Sequence, residues 1–92
     1  ASNVRVLLHA NLTAIRLDPA ARRVAALEVR SPAGATATVR ARRHVLACGG
    51  IENARLMLLS DDVEPHGVGN RHDLVGRFFM EHPDARCGVL RP

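Results

Sequence analysis

The chain has 92 residues, a formal charge of +4 and 13 basic residues, all of them arginine. That length allows one small domain with a limited core, and no apolar run is long enough to span a membrane. The only aromatic residues are Phe78 and Phe79, so the stacking rings that single-strand nucleic-acid binders set among basic residues are missing, and the arginines read as a solvated basic surface.

Val4 to Ala10 is a mostly apolar run, the pattern of a strand covered on both faces in a parallel sheet. Leu12 to Leu17 alternates, with Thr13, Ile15 and Leu17 on one face and Ala14 and Arg16 on the other. Asp18-Pro19-Ala20-Ala21 follows as a type I turn, with Asp first and Pro second. Val24 to Arg30 alternates again, placing Ala25, Leu27 and Val29 together. Ser31-Pro32-Ala33-Gly34 is a second turn, and Thr36 to Arg43 is a third alternating strand with Ala37, Val39 and Ala41 inward. Three short strands joined by short turns predict an antiparallel meander over about 12–43.

His44 to Cys48 returns to a continuous apolar run and is predicted to re-enter the parallel sheet. Gly49-Gly50 then makes a tight turn into a helix over 51–59, closed by Ser60-Asp61-Asp62. Paired glycines let a large ligand touch bare backbone, and a helix start offers unpaired N–H groups. The plainer reading, a sharp strand-to-helix turn, is the stronger one from this unit alone. Ile51, Ala54 and Leu58 form one apolar stripe, widened by Leu56, Met57 and Leu59, so the helix is predicted to be buried against a sheet and a second domain. Residues 61–77 read as irregular, with Pro65, Gly67, Gly69 and Asn70 as turn residues. Phe78, Phe79 and Met80 form an apolar patch expected to pack under a neighbouring domain, and Cys87 to Leu90 reads as the start of another strand.

Cys48 and Cys87 make no metal-like pair, and Cys48 is expected to be a small buried residue at the end of its strand. His9, His44, His66, His72 and His82 are scattered without ligand spacing, so no metal site is predicted. The chain starts at Ala1 without an initiator Met, and the expectation is a piece of a longer protein.

Two stretches carry a family likeness. Leu46-Ala47-Cys48-Gly49-Gly50-Ile51-Glu52-Asn53-Ala54-Arg55-Leu56 resembles the strand–Gly–helix segment of the glucose–methanol–choline (GMC) oxidoreductases, most closely the bacterial sugar and polyol dehydrogenase-like branch. Gly69-Asn70 with Asp73-Leu74-Val75-Gly76-Arg77-Phe78-Phe79-Met80-Glu81-His82-Pro83 resembles the segment that follows it, and His9 to Ile15 is similar to the family's strand beside the flavin adenine. The stretches stand in the family's order and cover nearly the whole chain.

The resemblance implies an α/β fold (α+β for the fragment alone). Residues 1–62 would be part of an FAD-binding Rossmann-like domain, holding the meander and a strand–Gly-Gly–helix unit over 44–60. Residues 63–92 would be an irregular connecting segment toward a substrate domain. It implies FAD as cofactor and a sugar, polyol or similar small alcohol as substrate, oxidised by hydride transfer to the flavin. Leu12 matches the position whose backbone meets the adenine, and Ala47, Cys48 and Gly49, with Gly50 less directly, match the turn near the adenosine and diphosphate. Asn53 reads equally as a cofactor contact and as a hydrogen-bonding group at the helix start. Arg55 reads as an exposed ion pair rather than a phosphate ligand, and His82 as structural.

No residue here matches the family's catalytic His, which lies nearer the C-terminus, and Gly67-Val68-Gly69 does not supply its GxGxxG turn. The chain alone is therefore expected to be inactive, to lack bound flavin, to need the N- and C-terminal parts of the same enzyme, and to self-associate through its apolar faces. The compartment stays open between bacterial cytoplasm and periplasm. The rival readings are a basic β-rich module in which Arg22, Arg23, Arg40, Arg42 and Arg43 meet nucleic acid, and a piece of another two-dinucleotide flavoprotein.

Overall fold

The computed structural model describes residues 3–81. His82, Pro83 and the strand expected from Cys87 lie outside the described residues. Four elements follow one another: β1 (Asn11–Leu17), β2 (Val24–Arg30), β3 (Thr36–Val39) and α1 (Gly50–Leu59). The strands form an antiparallel sheet in the order β1-β2-β3, so the predicted meander is present and the chain is mixed α/β.

Local chemistry accounts for both turns. The Ala21 N–H donates to Asp18 O at 2.9 Å, and the Asp18 carboxylate accepts the N–H of Arg22 at 2.7 Å. At the second turn the Gly34 N–H donates to Ser31 O at 2.9 Å, and the Ser31 hydroxyl accepts the Ala35 N–H at 3.1 Å. Gly34 has φ 90, a conformation that glycine adopts without strain.

Two bulges change the faces that simple alternation predicts. The register runs Leu12↔Val29 then Ala14↔Glu28, and Arg16↔Ala26 then Leu17↔Val24, so Thr13 and Ala25 have no partner across the β1–β2 ladder. An extra residue shifts the pleat by one position. Leu12, Ile15 and Leu17 therefore stand with Val29, Leu27 and Val24 on one face, while Thr13 and Ala25 are exposed rather than inward. On the opposite face Ala26 is buried, and Arg16 forks onto Glu28 with hydrogen bonds of 2.9 and 3.0 Å. The same guanidinium reaches Asp62 at 3.2 Å, tying the sheet to the end of α1. The hydrogen bond from Arg16 holds the Glu28 carboxyl below its ordinary range.

Helix α1 packs on β1. Leu56 is its buried residue, Met57 is half-buried, and Ser60 closes the helix in a fully buried position. Ile51, Leu58 and Leu59 are exposed, so the helix is buried on one face and not all round. β3 also differs from expectation. It ends at Val39, and Arg40 to Arg43 leave the sheet.

The runs at 4–10 and 44–48 are not strands. Among the described residues the only ladders are β1–β2 and β2–β3, so neither run has a neighbouring strand to pair with. Val4, Val6, Leu7, Leu8 and Val45 are accordingly exposed. Cys48, expected to be buried, is exposed for the same reason.

Residues 61–77 contain no helix or strand, yet they are cross-braced. The Val68 N–H donates to Met57 O at 2.9 Å, which seats the loop on the C-terminal turn of α1. Buried Asn70 donates to His66 O at 2.8 Å and accepts the Val75 N–H at 2.9 Å. Glu64 accepts from Arg71 Nε at 2.6 Å and from the Gly69 N–H at 2.7 Å. Those hydrogen bonds, from Arg71 first and Gly69 second, hold the Glu64 carboxyl below its ordinary range. A depressed folded pKa means that ionised Glu64 contributes above its unfolded pKa, and that this contribution is lost as pH falls through the folded value. Acidification is therefore expected to release the Gly69 amide, seen by NMR as a titration of that N–H at lower pH than an ordinary glutamate. The titration should vanish in Glu64→Gln, and a Gly69 amide indifferent to acid would contradict it.

Candidate functional site

The turn from Ala47 to Gly50 is exposed along its whole length. Gly49 precedes α1 with φ 94, so an L side chain there would be strained. Gly50 has no positive φ, and a Cβ built on it meets nothing within 4 Å. Neither backbone conformation nor packing within the described chain requires glycine at that position.

No side chain caps α1. Its first intrahelical bond runs from the Asn53 N–H to Gly49 O at 2.9 Å, so the N–H groups of Gly50, Ile51 and Glu52 precede the hydrogen-bonded ladder. They share the exposed turn with the positive end of the helix dipole. Glu52 sits in the first turn and pairs with Arg55 at 2.7 Å. The Arg55 hydrogen bond holds the Glu52 carboxyl below its ordinary range, so both charges are engaged with each other.

Asn53 faces back across the turn. Its Oδ1 accepts the Cys48 N–H at 2.9 Å, and its Nδ2 donates to Leu46 O at 3.4 Å. These are hydrogen bonds at the helix start, a role the sequence left open beside a cofactor contact. The amide ties the incoming chain to the first turn of the helix and shapes the Ala47–Gly50 segment.

The structure thus joins Ala47, Cys48, Gly49, Gly50 and Asn53 into one local unit. Leu12 stands apart, half-buried on β1 opposite Val29, and does not line the groove that Gly50 borders. That groove, about 560 Å³, runs along the exposed side of α1 between Ile51, Ala54 and Leu58 on one wall and Gly76, Phe79 and Met80 on the other. It is largely apolar, and Phe78 and Met80 are 81% and 90% exposed. Among the described residues no group of three His, Cys, Asp or Glu side chains could hold a metal ion, and no helix is long and apolar enough to cross a membrane.

His44 was not singled out by sequence reasoning. Its Nε2 is buried without a hydrogen-bond partner, beside an apolar cavity bordered by Ile15, Leu27 and Met57. Only its position at the head of an apolar run hints at this burial. The chemistry offered by the turn is binding, through bare backbone and free N–H donors.

No family model matches the chain. The chain is similar to one stretch of a dehydrogenase. That relative is the fructose dehydrogenase large subunit of Gluconobacter japonicus, 38% identical over 80 residues. The match takes in 86% of this chain but 14% of that protein, so the chain spans a small part of the relative's length.

Proposed function

We propose that this chain is the central part of an FAD-dependent oxidoreductase of the GMC type, acting on an alcohol group of a sugar or polyol. The observation that carries the reading is the turn at Gly49-Gly50. Gly50 leaves space where a Cβ would stand, although nothing in the described chain needs that space. A cofactor pressed against bare backbone would need it. The sugar class is supported by the name of the dehydrogenase relative.

In this reading the backbone of Ala47, Cys48, Gly49 and Gly50 lies against the adenosine and diphosphate half of FAD, with the first N–H groups of α1 facing its oxygens. Leu12 contributes backbone beside the adenine within a Rossmann-like domain. Asn53 acts one step removed, holding the turn in shape through Cys48 and Leu46. FAD supplies the redox step, accepting a hydride from the carbinol carbon. No residue of this chain is assigned to proton transfer, and the rest of the same enzyme would provide the missing half of the cofactor site.

The test is the visible spectrum of the product of the complete reading frame that contains this segment. The expected result is the two-band absorbance of oxidised flavin, bleached anaerobically by fructose or a related polyol. A colourless product that releases no flavin on acid treatment would sink the proposal. A flavin bleached only by non-alcohol substrates would leave the cofactor but remove the GMC assignment.

A further inference from the structure

The sequence holds two adjacent arginine pairs, Arg22-Arg23 and Arg42-Arg43. All four side chains are exposed, so exposure does not tell the pairs apart. The backbone does. At the first pair the Arg22 N–H donates to the Asp18 carboxylate at 2.7 Å, and the Arg23 N–H donates to the same oxygen at 3.3 Å. The Arg23 carbonyl accepts the Asp18 N–H at 3.0 Å, and its guanidinium lies 3.6 Å from the Asp18 carboxylate. Val24 then enters β2 opposite Leu17. This pair is folded between a turn and a ladder, and drawing it out would break those bonds.

The second pair is held by none of these. β3 ends at Val39, and residues 40–49 form neither helix nor strand. Among the described residues Arg42 and Arg43 enter no backbone–backbone hydrogen bond and no ion pair. The chain bends at Arg42, and straightening it there breaks no such bond. Beyond the pair His44 is half-buried, with its Nε2 enclosed and unpartnered. An enclosed polar atom without a partner is unfavourable, so lifting that ring regains hydration for the nitrogen. Val45 follows at 87% exposure. An endoprotease takes its substrate as an extended chain and seats basic side chains in acidic pockets. It acts where the backbone is exposed and weakly held.

We propose that the Arg43–His44 bond is a processing site for an endoprotease that cleaves after paired arginines, and that the fold closes the Arg22-Arg23 pair to the same enzyme. The step is a hydrolysis. Water adds across the amide, the C–N bond breaks, and a carboxylate on Arg43 and an amine on His44 result, with no change of oxidation state. The cut divides the meander from α1 in sequence but not in space. The Ile15 N–H still donates to Ser60 Oγ at 2.9 Å, and Arg16 still reaches Asp62 at 3.2 Å, so both links span the cut. The product is a nicked protein whose parts stay together. The proposal is independent of the flavin reading, since it uses none of the residues of the Ala47–Gly50 turn.

The test is digestion of the full-length protein that carries this chain with a kexin-type endoprotease, read by mass spectrometry of the new N-termini. Short peptides covering residues 18–28 and 39–49 are digested alongside, and both are expected to be cut, which separates protection by the fold from preference for sequence. In the folded protein the terminus at His44 is expected to appear roughly tenfold faster than the terminus at Val24, in proportion to the easier local opening. The nicked parts are expected to elute together in gel filtration and to separate in urea. Arg43→Gln should abolish the cut at His44, whereas Arg22→Gln/Arg23→Gln should leave it unchanged. A folded protein that resists cleavage at His44 while the 39–49 peptide is cut would overturn the proposal. So would an uncut 39–49 peptide, or a terminus at Val24 that appears first or at an equal rate.

Discussion

Replacing Gly67 with alanine is expected to destabilise the protein by about 3 kcal/mol or more, the largest loss from a methyl added at any of the described glycines. Gly67 is buried at φ 93, so a side chain would carry the left-handed penalty wherever it stood. Here it would also have no room. A Cβ would lie 2.6 Å from Met57 O and 2.7 Å from Leu58 Cα, both of them backbone atoms of α1 that no rotamer change can move. The loop would have to lift from the helix, breaking the bond from the Val68 N–H to Met57 O. Gly69→Ala is the matched control. Its φ is 69, but its Cβ would meet only the flexible Met57 side chain at 3.5 Å, an ordinary contact. That variant should lose about 1–2 kcal/mol, the conformational penalty alone. Urea unfolding of both variants reads the difference, and equal midpoints would show that the loop is not seated on α1 as described.

Ser60→Ala is expected to cost about 1–3 kcal/mol, a large effect for removing one oxygen. The Ser60 hydroxyl is buried and works in two directions. It donates to Leu56 O at 2.7 Å and accepts the Ile15 N–H at 2.9 Å. The second bond crosses from the helix to the edge of β1 and satisfies an N–H that the β1–β2 ladder leaves unpaired. Alanine would leave that N–H buried without an acceptor. Hydrogen exchange at the Ile15 amide should accelerate in the variant, along with a lower melting temperature. Asp61→Ala, at an exposed neighbouring position, should change stability by no more than about 0.5 kcal/mol. An unchanged Ile15 exchange rate in Ser60→Ala would contradict the cross-link.

Both positions were visible in the sequence only as punctuation, Gly67 as a turn residue and Ser60 as the end of a helix. Their weight comes from contacts with Met57 and Ile15, which no local pattern encodes. The same division holds at the candidate site. The glycine turn and the helix after it could be read from residues 44–60, and Arg55, read as an exposed ion pair, pairs with Glu52. The bonds of the Asn53 amide to Cys48 and Leu46 appear only in the folded turn. Leu12 matched a pattern along the chain, yet the fold does not bring it to the groove beside Gly50. The bulges at Thr13 and Ala25 escaped alternation because a bulge is a property of two strands in register, whereas alternation describes one.

What the sequence by itself determined is short in range: the turns at Asp18 and Ser31, the existence of three strands, and the limits of the helix. Each rests on hydrogen bonds or conformational preferences spanning a few residues, so a few residues suffice to specify it. What the tertiary structure decided is which apolar runs are covered. Val4 to Ala10 and His44 to Cys48 have the composition of buried strands, but a strand exists only beside another strand, and the described residues supply none for either run. The same limit leaves Ile51, Phe79 and Met80 exposed along one side of α1. Burial belongs to a pair of surfaces, and the described residues carry only one of each pair.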